Sequence, residues 1–147
     1  MSSESTSTPS GPPHASLWAR PPEFYMDENV AGRAARRCLV DLGYTVHTPP
    51  DLYGSWDAAR GARDEDWLGK LAARDWAAVS RDEHILQRPA ELEAYKAARI
   101  HMFLLPNNVR RDELIALLHS NLRDICTRAV ERVPGVWRVT RSGLGQL

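Results

Sequence analysis

The stretch that decides the fold is WAAVSRDEHILQRPAE, which runs from Trp76 to Glu91. Its apolar start predicts a short buried strand, because a run of apolar residues bounded by polar ones is typical of a strand covered on both faces. The next four residues, Ser-Arg-Asp-Glu, match a helix capping box, in which Ser80 would cap the helix and Glu83 would reach back to it. Asp82 then has two interpretations, as an acid in the first turn of a helix or as one corner of an acidic site.

The same alternation of apolar strands and amphipathic helices extends in both directions from this stretch. The pattern predicts strands at 23–26, 44–48, 76–80 and 100–105, helices at 28–43, 64–75, 89–99 and 110–133, a long loop at 49–63 and a terminal edge strand at 135–140. Strands that alternate with helices indicate a parallel sheet covered by helices. We therefore predict an α/β fold, a three-layer sandwich with a mainly parallel central sheet of four or five strands.

Composition limits the class of protein. The chain has 147 residues, 43% of them hydrophobic, with 19 basic and 19 acidic side chains and no net charge. The balanced charge argues against a protein that coats nucleic acid non-specifically, since that requires a basic surplus. No apolar run reaches the roughly 20 residues of a membrane span, so we expect no membrane association.

The order of residue types along the chain suggests one domain. Residues 1–21 are rich in Ser, Thr, Pro and Gly and are expected to form a disordered tail, and residues 22–147 a single domain. Cys38 and Cys126 lie far apart within helical patterns and have no C-x-x-C partner, so buried thiols are expected rather than a disulfide or zinc site. Free thiols are typical of a reducing compartment, so we expect a cytoplasmic location.

Acidic residues follow two of the predicted strands. Asp27 and Glu28 come directly after the first, and Asp82 comes just after the third. Ligands of an open parallel sheet bind beyond the carboxyl ends of its strands, and clustered carboxylates there attract divalent cations. Asp64 opens the helix before the third strand. We expect the start of this helix at the opposite edge of the sheet, unless the long loop crosses over the sheet. Asp64 is explained equally well as a helix cap.

Several motifs together resemble the PIN-like domain family, in the branch of the VapC-type toxin ribonucleases. They are FYMDENV from Phe24, DEDWL from Asp64, DWAAVSRD ending at Asp82, and QRPAE ending at Glu91. The strand HMFLL and the long helix after it also follow the family pattern. The resemblance covers residues 24–133 and is most specific at 64–105.

The resemblance implies a metal-dependent ribonuclease and a role for individual residues. Asp27, Asp64 and Asp82 correspond to the acids that bind Mg²⁺ or Mn²⁺, with Glu28 and Glu91 as further acids of the site. Ser80 matches a hydroxyl that steadies the site, and Arg88 matches a basic position that could contact phosphate. Arg81 is a second candidate for binding the RNA. The implied partners are an RNA substrate and a cognate antitoxin protein, with homodimer formation left open. The helix from Arg110 and the loop from Pro49 are the expected partner surfaces.

The sequence departs from the family pattern at two places. Glu83 stands where a lysine is usual, and Glu28-Asn29 replace more neutral or basic neighbours. Both changes put RNA affinity in doubt more than metal binding. The alternative is a catalytically degenerate PIN-like domain that acts as a binding or assembly module. A receiver domain fits poorly, because no lysine follows the strand MFLL.

Overall fold

The computed structural model describes residues 11–26, 30–55, 57–58, 64–81 and 87–147, without the side chains of 30–32 and 64–66. The strands are β1 Glu23–Met26, β2 Val46–His47, β3 Trp76–Arg81, β4 Met102–Leu105, β5 Val136–Thr140 and β6 Gly143–Gln146. The helices are α1 Val30–Asp41, α2 Pro49–Tyr53, α3 Asp64–Ala72, α4 Pro89–Ala97 and α5 Arg111–Ala129. A single 3-10 turn, Ala15–Leu17, precedes β1.

These strands form one sheet in the order β2-β1-β3-β4-β5-β6. β1 to β5 run parallel to their neighbours, and β6 turns back antiparallel to β5. Every residue of β4 is buried, and so are the last three residues of β1, as expected for parallel strands covered on both faces.

Two apolar clusters lie on opposite faces of the sheet. On one face α1 and α5 cover Phe24, Phe103 and the residues around them. On the other face α2, α3 and α4 cover Tyr25, Met102 and their neighbours. The predicted three-layer α/β sandwich with a mainly parallel sheet is therefore confirmed.

The carboxyl-terminal strand differs from the prediction. The segment predicted as an edge strand is β5, which is paired on both sides, and β6 lies outside it. β6 was not predicted because its sequence, GLGQ, is half glycine and has only one large apolar side chain, too few for a strand pattern. The described part of the chain thus contributes six strands, one more than the upper estimate.

The long loop predicted at 49–63 begins with a helix. α2 occupies Pro49–Tyr53, and the Asp51 carboxylate accepts a hydrogen bond from the Thr48 backbone N–H at 2.7 Å. The two prolines at the start of this helix suggested a loop in the sequence, although proline is favourable in the first turn of a helix. Gly54 ends it with a φ of +88°, a left-handed conformation that glycine adopts without strain.

Residues 11–21 were assigned to a disordered tail from their composition, yet they lie against the domain. Ala15 is buried in the α1/α5 cluster, and its N–H donates to the Leu42 carbonyl at 2.8 Å. The Tyr44 hydroxyl donates to the Pro13 carbonyl at 2.8 Å and accepts from Trp18 Nε1 at 2.9 Å. Side-chain hydrogen bonds of this kind leave no trace in composition. Residues 1–10 lie outside the described residues.

We expect Tyr44→Phe to lower the free energy of unfolding by about 1–3 kcal/mol, because it leaves a buried carbonyl and an indole N–H without their partner. Urea unfolding measures this loss. Tyr95→Phe is the matched control, since it removes a tyrosine hydroxyl that donates to Glu91 at a partly exposed site, and it should cost less. Equal losses in the two variants would contradict a special role for Tyr44.

The two buried cysteines should make stability depend on pH. Burial raises the pKa of Cys38 to about 11, and the Asp41 carboxylate adds to the rise. Burial also raises the pKa of Cys126 to about 11, more than the hydrogen bond to Tyr44 lowers it. The folded chain thus keeps two protons that the unfolded chain loses above the ordinary value of 9.0.

The free energy of unfolding should therefore be unaffected by these thiols below about pH 9 and should fall as the pH rises towards 11. The slope is at most about 1.4 kcal/mol per pH unit for each thiol. Urea unfolding from neutral to alkaline pH measures it. The doubly substituted Cys38→Ala/Cys126→Ala chain should show a shallower fall, and an unchanged slope would rule the thiols out as its cause.

Candidate functional site

The carboxyl ends of β1 and β3 lie side by side in the sheet. The two strands are parallel neighbours, with Met26 opposite Val79, and both of these side chains are buried. Asp27 follows β1 in the sequence and Asp82 follows β3. Asp27, Glu28 and Asp82 themselves lie outside the described residues. The order and direction of the strands agree with the predicted acidic edge.

Asp64 is the first residue of α3, and its side chain is not described. Only Ala73–Asp75 separate α3 from β3, so the helix runs back over the sheet antiparallel to the strand that follows it. Trp67, in the first half of α3, stacks on Tyr25 at 6.2 Å between ring centroids. The helix therefore starts towards the carboxyl edge. The sequence left two placements open for this helix end, and the structure agrees with the one at the carboxyl edge, because a short turn between α3 and β3 reverses the direction of the chain.

Ser80 belongs to β3 rather than to a helix cap. It lies opposite Leu104 in β4, and the strand continues through Arg81, which lies opposite Leu105. The capping-box interpretation of Ser80 was therefore wrong. Since Ala78 faces the α3/α4 side and side chains alternate along a strand, Ser80 faces that side as well.

Arg81 lies on the opposite face of β3, at the very end of the strand. The side chain is half-buried, and its Nε is buried without a hydrogen-bond partner in the described part of the chain. Leaving a buried donor unpaired costs free energy, so such a group is available for an anionic ligand or a neighbouring carboxylate.

Glu91, in the first turn of α4, is held by two neighbours. Tyr95 donates its hydroxyl to Glu91 Oε1 at 2.5 Å, and Arg88 Nη1 lies 3.4 Å from Oε2. The Arg88 side chain is 58% exposed, whereas that of Glu91 is 29% exposed. Each carboxylate oxygen therefore already has a partner within the protein. Sequence reasoning did not single out Tyr95, although its spacing of four residues from Glu91 is that of helix neighbours.

A row of stacked rings lies beneath α3. Tyr25 stacks on Trp67 at 6.2 Å and on Trp76 at 6.3 Å, and Trp76 stacks on His47 at 3.6 Å. Trp67 also meets Tyr95 at 6.1 Å. This contact links Glu91, through Tyr95, to the core of the α3 side. One aromatic cluster thus contacts both the first half of α3 and α4.

Within the described residues no three His, Cys, Asp or Glu side chains come together as a metal site. Of the acids expected to bind metal, the structure describes only the side chain of Glu91. Asp27, Asp64, Asp82 and Glu28 thus stay predictions as ligands.

Comparison with known families gives the clearest indication of relationship. The family model described as PIN-like domain matches residues 22–107, more than half of the 147 residues. The chain belongs to the PIN-like domain family. No curated protein and no solved structure gives a significant match. The branch of the family is therefore not assigned by these comparisons.

The PIN-like match spans β1 to β4 and includes every residue that was predicted to form the site. It ends before α5, β5 and β6. In the structure these elements complete the sheet and cover the face behind β1 and β4. The PIN-like segment thus contains the candidate site, and the remaining chain supplies part of its core.

We expect Glu91→Gln to lower the free energy of unfolding by about 1 kcal/mol, because it removes the charge from two side-chain contacts at the start of α4. Chemical denaturation measures this. Glu93→Gln, at an exposed position on the same helix, is the matched control and should change stability little. If both variants match the wild type, the Glu91 carboxylate does not hold α4 in place.

Proposed function

We propose that the protein is a metal-dependent ribonuclease of the PIN-like family that acts in the cytoplasm as the toxin of a toxin–antitoxin pair. The observation that carries the proposal is the pairing of β1 with β3 inside the segment that matches the family. Asp27 and Asp82 follow these two strands in the sequence, and parallel neighbours end at the same edge of a sheet.

The proposed ligand set suits a hard divalent cation. Asp27, Asp64, Asp82 and Glu28 offer only carboxylate oxygens, the ligand type that Mg²⁺ and Mn²⁺ prefer. This fit rests on donor chemistry and on strand order, since these side chains lie outside the described residues. A bound ion would supply the acidity that activates water and the charge that stabilises the leaving oxygen of a phosphodiester.

The described residues would bind and position the RNA. Arg88 is exposed and carries a guanidinium suited to a phosphate, although Glu91 competes for it. Arg81 has a buried Nε without a described partner, and a phosphate or a site carboxylate would satisfy it. Ser80, at the same strand end, would steady the site through its hydroxyl. Tyr95 would act as a positioning residue by holding Glu91.

Cleavage of total RNA in the presence of Mn²⁺ tests the proposal. The wild type should produce fragments, and Asp27→Asn should lose about two to three orders of magnitude in rate, as expected when a group that stabilises transition-state charge is removed. Asp124→Asn, an exposed acid on α5, is the matched control and should retain full activity. Absence of cleavage by the wild type would favour the alternative, a degenerate PIN-like module.

A thermal-shift measurement separates metal binding from catalysis. A divalent ion at about 100 times its Kd stabilises the folded state by about 2.7 kcal/mol. Mg²⁺ or Mn²⁺ should therefore raise the Tm of the wild type and of Asp124→Asn, and should raise that of Asp27→Asn much less. Equal shifts in all three chains would argue against a carboxylate metal site that contains Asp27.

A further inference from the structure

A basic groove lies between α1 and α5, on the face of the sheet opposite α3 and α4. It has a volume of about 950 Å³, and its rim carries four arginines, Arg33, Arg36, Arg37 and Arg111. All four side chains are exposed, and none makes an ion pair within the described part of the chain. In a protein without net charge this is a local concentration of unpaired positive charge.

The floor of the basic groove is apolar. Leu42 and Ile115 are half-buried there, and Val40 is 46% exposed, one of the few large apolar side chains on the described surface. Apolar groups that stay in contact with water at the bottom of a charged groove are a characteristic of binding surfaces. The apolar residues of the groove therefore favour a ligand that carries apolar side chains.

These two features favour a peptide over a nucleic acid. Proteins that bind single-stranded nucleic acid combine positive charge with aromatic rings on which the bases stack. None of the described residues that line the basic groove is Phe, Tyr or Trp, and the one imidazole among them, that of His119, is half-buried. Asp41 is the one acid among the described lining residues. Because it would repel a phosphate and a carboxylate alike, it does not favour either kind of ligand.

We propose that the basic groove binds an acidic peptide segment of a protein partner, one that combines Asp or Glu with Leu, Ile or Phe side chains. The carboxylates pair with the rim arginines, and the apolar side chains cover Val40 and its neighbours. The chain's own first ten residues match this chemistry poorly, because they contain one acid, Glu4, and no large apolar side chain after Met1. The proposal stands apart from the nuclease activity, since the groove is lined by α1, α5, Pro12 and Leu42 and by none of the residues proposed for the nuclease site.

Selection from a displayed library of short random peptides against the full chain tests the proposal. Enriched peptides should carry Asp or Glu with large apolar residues, and their binding should weaken as salt screens the charges. Arg37→Glu and Arg111→Glu should each weaken binding by about tenfold or more, and Val40→Ser by a smaller factor. Arg132→Glu, an exposed arginine outside the groove, is the matched control and should leave binding unchanged.

Two results would overturn the proposal. One is that no peptide is enriched, or that the enriched peptides bind Arg37→Glu and Arg111→Glu as tightly as the wild type. The other is that single-stranded oligouridine binds in a manner that depends on these arginines while the peptides do not, which would make the groove a nucleic-acid surface. Unfolding temperatures near that of the wild type ensure that each variant is folded. RNA cleavage by the same variants reports on the proposed nuclease separately.

Discussion

The parallel pairing of β1 with β3 is the interaction on which the rest of the structure depends. It joins Phe24 to Ala77 and Met26 to Val79 in the interior of the sheet, where both faces are covered. Parallel neighbours have their carboxyl ends at one edge, so this pairing also decides which loops can meet. The acids that follow these two strands in the sequence are therefore predicted to lie at one edge, and the family match covers both strands.

The two sides of the sheet serve different purposes. On the α3 side, Tyr25 stacks on Trp67 of α3 and on Trp76, and Tyr95 connects this cluster to Glu91. On the α1 side, the core combines aliphatic side chains with Phe24, Tyr44 and Phe103, and the outer surfaces of the helices carry the rim arginines of the basic groove. The candidate nuclease edge and the proposed peptide groove thus share the sheet but not their side chains.

Much of the fold was predictable because the signals are local. Each apolar run and each helical repeat from Glu23 to Ala129 gave an element of the predicted type, with ends within a few residues. The misses have physical causes. β6 has too few side chains for a strand pattern, α2 begins with two prolines, and residues 11–21 are ordered by Tyr44. For the site, Asp27, Asp64 and Asp82 were named from spacing and family resemblance, and they stay predictions.

The sequence by itself determined the α/β class, the order of the elements and the PIN-like family, since these follow from periodicity and from motifs a few residues long. Only the tertiary structure decided that Ser80 lies within a strand, that α3 starts towards the carboxyl edge, and that Tyr95 holds Glu91. It also decided that arginines from α1 and α5 form one groove. Contacts between distant segments depend on strand order and helix direction, which no local pattern encodes.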